Sequence, residues 1–292
     1  MTTSDDSRIS EDRREALRYA FAIGGGAALA SALASPASAQ ASADNTLDRI
    51  RGTKVLRAAA LPGELPYFKK DLTTGEWSGM AVEMCKDIAK VMDAKVEWLE
   101  STYGNSVLDL QANKIDLAFA LNPSPPRALV IDFTHPIFLH GFGMVARQGF
   151  SAKTWSDINK PEVRVTCDLG SLHETAARRF ASKAQITAYK TRDECVLAVQ
   201  SGRADCVIMA VAIGLTAVAK NPNLGQFIML TGPRVQLPTC MGVRQEPDKR
   251  WRDFLSAWVD FNRGIGQIRE WMYVGLELNG VKPETIPADV EF

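Results

Sequence analysis

The stretch Asp116-Leu117-Ala118-Phe119-Ala120-Leu121-Asn122-Pro123-Ser124-Pro125-Pro126-Arg127 runs from an apolar strand into a loop of small polar residues and prolines. It ends on one arginine, and a second extended run follows, Ile131-Asp132-Phe133-Thr134-His135-Pro136. The carboxyl end of a strand is where open α/β sheets place their ligand sites. A guanidinium at that point can take a carboxylate through two parallel hydrogen bonds. A surface arginine after a proline-rich turn reads equally well from this segment alone, so the rest of the chain decides.

On both sides of that segment strand and helix alternate. Lys54-Val55-Leu56-Arg57-Ala58-Ala59 reads as a strand, and Gly79 to Met92 as a helix with Met80, Met84, Ile88, Val91 and Met92 on one face. Helical spacing makes that methionine stripe core rather than a soft-metal site. Lys95-Val96-Glu97-Trp98-Leu99 is the next strand, and Ser106 to Ala112 a short helix. A second series begins with the strand Val163-Arg164-Val165-Thr166-Cys167. Gly170-Ser171 opens a helix through Phe180, and Ile186 to Tyr189 is a strand. Thr191 and Glu194 form a capping box before Cys195-Val196-Leu197-Ala198-Val199. Gly202 stops that helix, and Asp205 to Ala210 is a strand. Two amphipathic helices, Asp248 to Arg263 and Ile265 to Leu276, carry Trp251, Trp258 and Trp271 near the end.

Two parallel-sheet series in 292 residues predict two α/β lobes. The chain is expected to cross between them twice, near Met144 to Gln148 and near Pro238 to Arg244. The first lobe then spans 44–145, the second 146–240, and 241–292 returns to the first.

Composition narrows the function. Lys+Arg and Asp+Glu both number 34, so no net field attracts nucleic acid, and no basic tract appears. His135, His140 and His173 are scattered without metal-ligand spacing. There is no glycine-rich phosphate loop and no G-x-S-x-G elbow. No cofactor and no metal is expected. Of the five cysteines, Cys167 and Cys206 sit in strand-like runs that can be neighbours. A disulfide and two buried thiols both remain open there.

Residues 1–39 read as an export signal. Arg8, Arg13, Arg14 and Arg18 form a basic head, Tyr19 to Ala34 is uncharged, and Pro36-Ala37-Ser38-Ala39-Gln40 offers an A-x-A cleavage site. The run Arg13-Arg14-Glu15-Ala16-Leu17-Arg18 resembles the twin-arginine signal, with alanine where phenylalanine is usual; an ordinary secretory signal is the alternative. The expected mature chain is periplasmic and begins near Gln40, after cleavage at Ala39.

In order along the mature chain stand Leu65-Pro66-Tyr67-Phe68, Trp77-Ser78-Gly79-Met80-Ala81-Val82-Glu83, Leu110 through Asp116, Asn122 through Arg127, and Asp132-Phe133-Thr134-His135-Pro136. Gly170-Ser171-Leu172-His173-Glu174, Gly202-Arg203-Ala204-Asp205 and Gly266-Gln267-Ile268-Arg269-Glu270-Trp271 follow. Together they resemble the bacterial extracellular solute-binding proteins of family 3, the polar amino-acid type of ABC-importer receptor. That resemblance implies a two-lobed periplasmic-binding-protein type II fold, with two hinge-crossing strands and a small ligand buried between the lobes. It implies a monomer whose partner is an inner-membrane ABC permease. It puts Arg127 on the carboxylate, Ser124 and Asn122 on the family's small hydroxyl positions in the same loop, and Tyr103 on the aromatic position over the ligand. Ser171 opens a helix whose N–H groups can meet a carboxylate.

Three positions depart from the family pattern. Ala210 stands where an aspartate usually holds the ligand's α-ammonium. Leu172 replaces the second hydroxyl of the Gly-Ser motif, and Glu64 replaces an aromatic residue before Pro66. Either Glu64 or Asp168 supplies a new carboxylate, or the ligand has no α-ammonium. Asp205 reads as structural. The leading expectation is a non-enzymatic receptor for an amino acid or a related organic acid. The alternatives are a cyclohexadienyl dehydratase-like enzyme, with His173 or Glu174 as acid, and a ligand sensor that does not transport.

Overall fold

The structure is a computed structural model and describes residues 45–286. The expected export signal lies outside the described residues. Lobe 1 begins with α1 (Thr46–Thr53), β1 (Val55–Ala60), the small hairpin β2 (Lys69–Lys70) and β3 (Trp77–Ser78), α2 (Met80–Val91) and β4 (Lys95–Glu100). It continues through α3 (Tyr103–Gln111), β5 (Ala118–Leu121), the one-turn α4 (Pro125–Ala128) and β6 (Ile131–Phe133). Strand β7 (Phe138–Arg147) leads to lobe 2. That lobe comprises α5 (Trp155–Ile158), β8 (Arg164–Asp168), α6 (Leu172–Phe180), β9 (Gln185–Tyr189), α7 (Arg192–Gln200), β10 (Cys206–Ala210), α8 (Val211–Lys220) and β11 (Leu224–Met229). Strand β12 (Gln236–Arg244) returns, and α9 (Arg250–Gly264) and α10 (Gln267–Glu277) close the chain over lobe 1.

Strands β7 and β12 are the two crossings. They pair antiparallel with each other over Phe138–Gly141 and Gln236–Thr239. Beyond that point β7 pairs with β10 and β11 of lobe 2, and β12 pairs with β5 and β6 of lobe 1. The first crossing therefore lies ahead of the expected Met144 to Gln148. The apolar run through β7 has no proline or charge to mark where its partners change. In lobe 2, β10, β8 and β9 are parallel. Every residue of β10 is buried, because helices cover both faces of that sheet.

Local chemistry explains the loop that borders the cleft. The first N–H groups of α2 have no side-chain cap, so Met80 N donates to Pro66 O and Ala81 N to Tyr67 O, both at 3.1 Å. Such an approach excludes a side chain at Gly79 (φ +119°), where a Cβ would lie 2.5 Å from Tyr67 O. The Leu65–Phe68 and Trp77–Glu83 motifs are thus two halves of one joint. On the far side, Gly275 of α10 lets that helix approach the same loop, and Trp258 stacks on Trp271 with centroids 5.8 Å apart.

Each lobe also ties its sheet with a buried aspartate held by two arginines. Asp116 pairs with Arg49 and Arg57 in lobe 1. Asp205 pairs with Arg147 (2.9 Å) and Arg164 (2.7 Å) in lobe 2, which makes it structural. These arginines hold the Asp205 carboxyl far below the usual carboxylate range, against the opposing effect of burial.

Three local expectations differ from the structure. Helix α3 begins at Tyr103, not Ser106, because Thr102 caps it and accepts from Asn105 N at 3.2 Å. Arg127 sits in a helical turn rather than a loop, with prolines at its first positions, where a missing N–H does no harm. Helix α8 follows β10 with no turn residue between them, so one apolar run hides two elements. Cys167 and Cys206 are both free and buried, like the other three cysteines, so the disulfide alternative falls away.

Candidate ligand-binding cleft

Arg127 projects from α4, half-buried at the lobe boundary. Its Nη1 donates to Asn122 O (3.1 Å) and its Nη2 crosses to Gly170 O of lobe 2 (3.0 Å). Burial presses its pKa below the ordinary arginine value. Among the described residues no carboxylate pairs with it. The pocket it lines has about 10 Å³ of free volume, so the lobes are nearly shut upon it. From lobe 1, Tyr103, Asn122, His140 and Ala120 line this pocket; from lobe 2, Ser171, Leu172, His173 and Ala210 do. Ala120, the next-to-last residue of β5, has φ +59°. A left-handed alanine costs about 1–2 kcal/mol and stands where the strand gives way to the Asn122–Arg127 segment.

A second, larger chamber of about 270 Å³ adjoins it, with Tyr103 common to both. Glu64, Asp168 and Arg192 line this chamber, with Lys190 and Glu100 also in its wall. All three of the first group are buried. Arg192 Nη2 donates to Asp168 Oδ2 at 2.6 Å, and its Nε lies 3.5 Å from Glu64 Oε1 across the lobes. That second contact pairs charges without hydrogen-bond alignment, so the Nε–H is left without a partner. Tyr103 Oη donates to Glu64 Oε2 at 2.9 Å.

Electrostatics separates the two carboxylates. Burial pushes the Glu64 carboxyl up to about 7, with Arg192 pulling the other way and Asp168 adding to the rise. Burial also opposes the charge on Asp168, but Arg192, and then His173, hold it down at about 2. Arg192 itself is held firmly protonated by Asp168 and Glu64 against its own burial. His173 is neutral: burial lowers its pKa, and its Nε2 accepts from Ala210 N at 3.1 Å. Its proton is therefore assigned to Nδ1, which donates to Asp168 Oδ1 at 3.2 Å.

The structure gathers most of the sequence-predicted residues. Arg127, Asn122, Tyr103, Ser171, Leu172 and Ala210 line the small pocket, and Glu64 and Asp168 the adjoining chamber. Ser124, at the start of α4, lines neither. The Ser171 hydroxyl is already used, donating to Asp168 O (2.7 Å) and accepting from Glu174 N (3.2 Å). Glu64 and Asp168, one of which was expected to supply a carboxylate if the ligand carries an α-ammonium, both already face Arg192. His173 and Glu174 are occupied too, since Glu174 accepts from Gly170 N and pairs with Arg178. Neither is left as a free acid.

Sequence reasoning missed Arg192 and His140. Arg192 carries a signal, because a cation in the first turn of a helix opposes the helix dipole and implies carboxylates elsewhere. His140 is a lone histidine in an apolar strand, where nothing in the sequence separates packing from function.

Residues 56–164 match the family model of the bacterial extracellular solute-binding proteins, family 3. A probable histidine-binding protein of Campylobacter jejuni is 25% identical over 191 residues, which is 64% of this chain and 72% of that protein. A cyclohexadienyl dehydratase of Pseudomonas aeruginosa is 26% identical over 250 residues, 84% of this chain and 91% of that enzyme. Among solved structures, the ancestral amino acid-binding protein AncCDT-1, a precursor of cyclohexadienyl dehydratase, superposes with a TM-score of 0.71. It is 25% identical, over 82% of this chain and 100% of its own. The two-lobed fold and its crossing strands are those of the type II periplasmic binding proteins. Over residues 56–164 the chain resembles the bacterial extracellular solute-binding proteins of family 3.

Proposed function

We propose that this protein is a periplasmic receptor that captures a small carboxylate-bearing solute between its lobes and delivers it to an ABC permease. The carrying observation is Arg127. It is a partly buried guanidinium at the lobe boundary with only carbonyl oxygens as partners. A buried cation calls for an anion. A ligand carboxylate would replace the Gly170 contact with a two-pronged one. Asn122 and the opening amides of α6 add hydrogen bonds, and Tyr103 packs on the ligand body. Strands β7 and β12 supply the hinge for closure.

The test is a thermal-shift screen of the mature chain against amino acids and small organic acids. A ligand bound to the native state alone raises the melting temperature by mass action. Wild type should respond to carboxylates and Arg127→Ala should not, while keeping its unliganded melting temperature. An equal response from both proteins would contradict the reading.

One observation favours a second reading. Glu64, with its carboxyl near pH 7, is suited to general-acid chemistry, and the Pseudomonas relative is a dehydratase. Incubation with prephenate tests it. Formation of phenylpyruvate above the uncatalysed rate, lost in Glu64→Gln, would support an enzyme; unchanged prephenate would leave the receptor reading alone.

A further inference from the structure

If Arg127 holds a carboxylate, the carbon beside that carboxylate lies in the same small pocket. An amino group on it would sit roughly 2.5 Å from the carboxylate carbon. Its counter-charge must therefore come from the wall of that pocket. Among the described residues, Arg127 is the one formally charged side chain in the wall. Ala120 and Ala210 present methyl groups. His173 has committed its lone pair to Ala210 N and its N–H to Asp168. The Ser171 hydroxyl is occupied on both sides. Asn122 directs its amide nitrogen to Pro238 O at 2.7 Å, which leaves one neutral carbonyl oxygen. Glu64 and Asp168 line the neighbouring chamber, where Arg192 faces both.

An ammonium in this pocket would be buried beside a guanidinium with no carboxylate of its own. An uncharged oxygen meets better conditions. His140 is buried on β7 and lines the pocket. Its Nε2 contacts Tyr67 Oη at 3.3 Å, and its Nδ1 has no hydrogen-bond partner. A hydroxyl can satisfy that nitrogen in either tautomer, and a keto oxygen satisfies it when Nδ1 carries the proton.

We propose that the Arg127 pocket selects an α-hydroxy or α-keto acid over the α-amino acid of the same skeleton. This rests on the carboxylate-receptor reading and narrows it. The adjoining chamber, polar and larger, takes the remainder of the ligand.

Titration calorimetry with matched acids tests the proposal on wild type and Arg127→Ala. The sets are pyruvate, lactate and alanine; phenylpyruvate, phenyllactate and phenylalanine; and α-ketoglutarate, α-hydroxyglutarate and glutamate. In at least one set an oxygenated acid should bind wild type more tightly than its amino counterpart by roughly tenfold or more. Amino acids that bind as well as or better than their counterparts in every responding set would overturn the proposal, as would no binding in any set. If such amino-acid binding disappears in Arg127→Ala, the receptor reading stands and only the selectivity falls. If it survives, both fall.

Discussion

The two chambers of the cleft share Tyr103 and the same lobe boundary but handle charge in opposite ways. The larger chamber encloses two carboxylates and one guanidinium. They are mutually compensated, with Asp168 ionised against Arg192 and Glu64 raised toward neutrality. The smaller pocket encloses one guanidinium and no carboxylate. A charged residue in a cleft is therefore not in itself a ligand group. The informative residue is the one whose charge the protein leaves uncancelled, and here that is Arg127. Glu64 and Asp168 are conspicuous in the sequence, yet both are turned toward Arg192, Asp168 within its own lobe and Glu64 across the lobe boundary.

The largest expected effect comes from breaking the compensated side. Arg192→Met strands Asp168 as a buried anion, and removing one partner of such a pair costs about 3–5 kcal/mol. Urea unfolding should show it, with Asp168→Asn in the same background recovering part of the loss. Next, Arg127→Lys keeps the charge but loses the fork. It should weaken carboxylate binding by about 1.5–3 kcal/mol, one charged hydrogen bond, with the unfolding midpoint unchanged. Tyr103→Phe removes the donor to Glu64 and should cost about 1 kcal/mol of stability.

The smallest effect is a slope. The native protein keeps a proton on Glu64 from its ordinary 4.5 up to about 7, where the unfolded chain has released it. Native therefore binds more protons than unfolded in that window, and stability contributed by this group falls as pH rises through it. Glu64→Gln should flatten that decline between about pH 4.5 and 7. Asp168 acts in the other direction. Its contribution is present above its ordinary 3.8 and fades as pH drops toward 2.

Much of the fold was legible because its signals are local. The capping box at Thr191 and Glu194 forms as expected, with both reciprocal bonds present. The apolar runs at Leu56 and Val207, and Met80, Met84, Ile88 and Met92 of the methionine stripe, became core, while Val91, expected on the same face, is exposed at the end of α2. The errors lie where one apolar run serves two roles. Strand β7 changes partners midway, and β10 passes into α8 without punctuation. The strand end before Asn122 and Arg127 marks that segment for the cleft, and the family resemblance is what put Arg127, Asn122 and Tyr103 on the ligand. The Arg192 cluster could not, since its partners lie 24 and 128 positions away in the chain, and Glu64 reaches it from the other lobe.

The most direct test is a crystal structure of the complex with the tightest-binding acid of the matched sets. The carboxylate should lie on Arg127 with Gly170 O displaced, and Arg192 should remain on Asp168. A ligand whose charged group instead sits on Glu64 or Asp168, with Arg192 moved aside, would contradict the division of the cleft into one free cation and one self-compensated cluster.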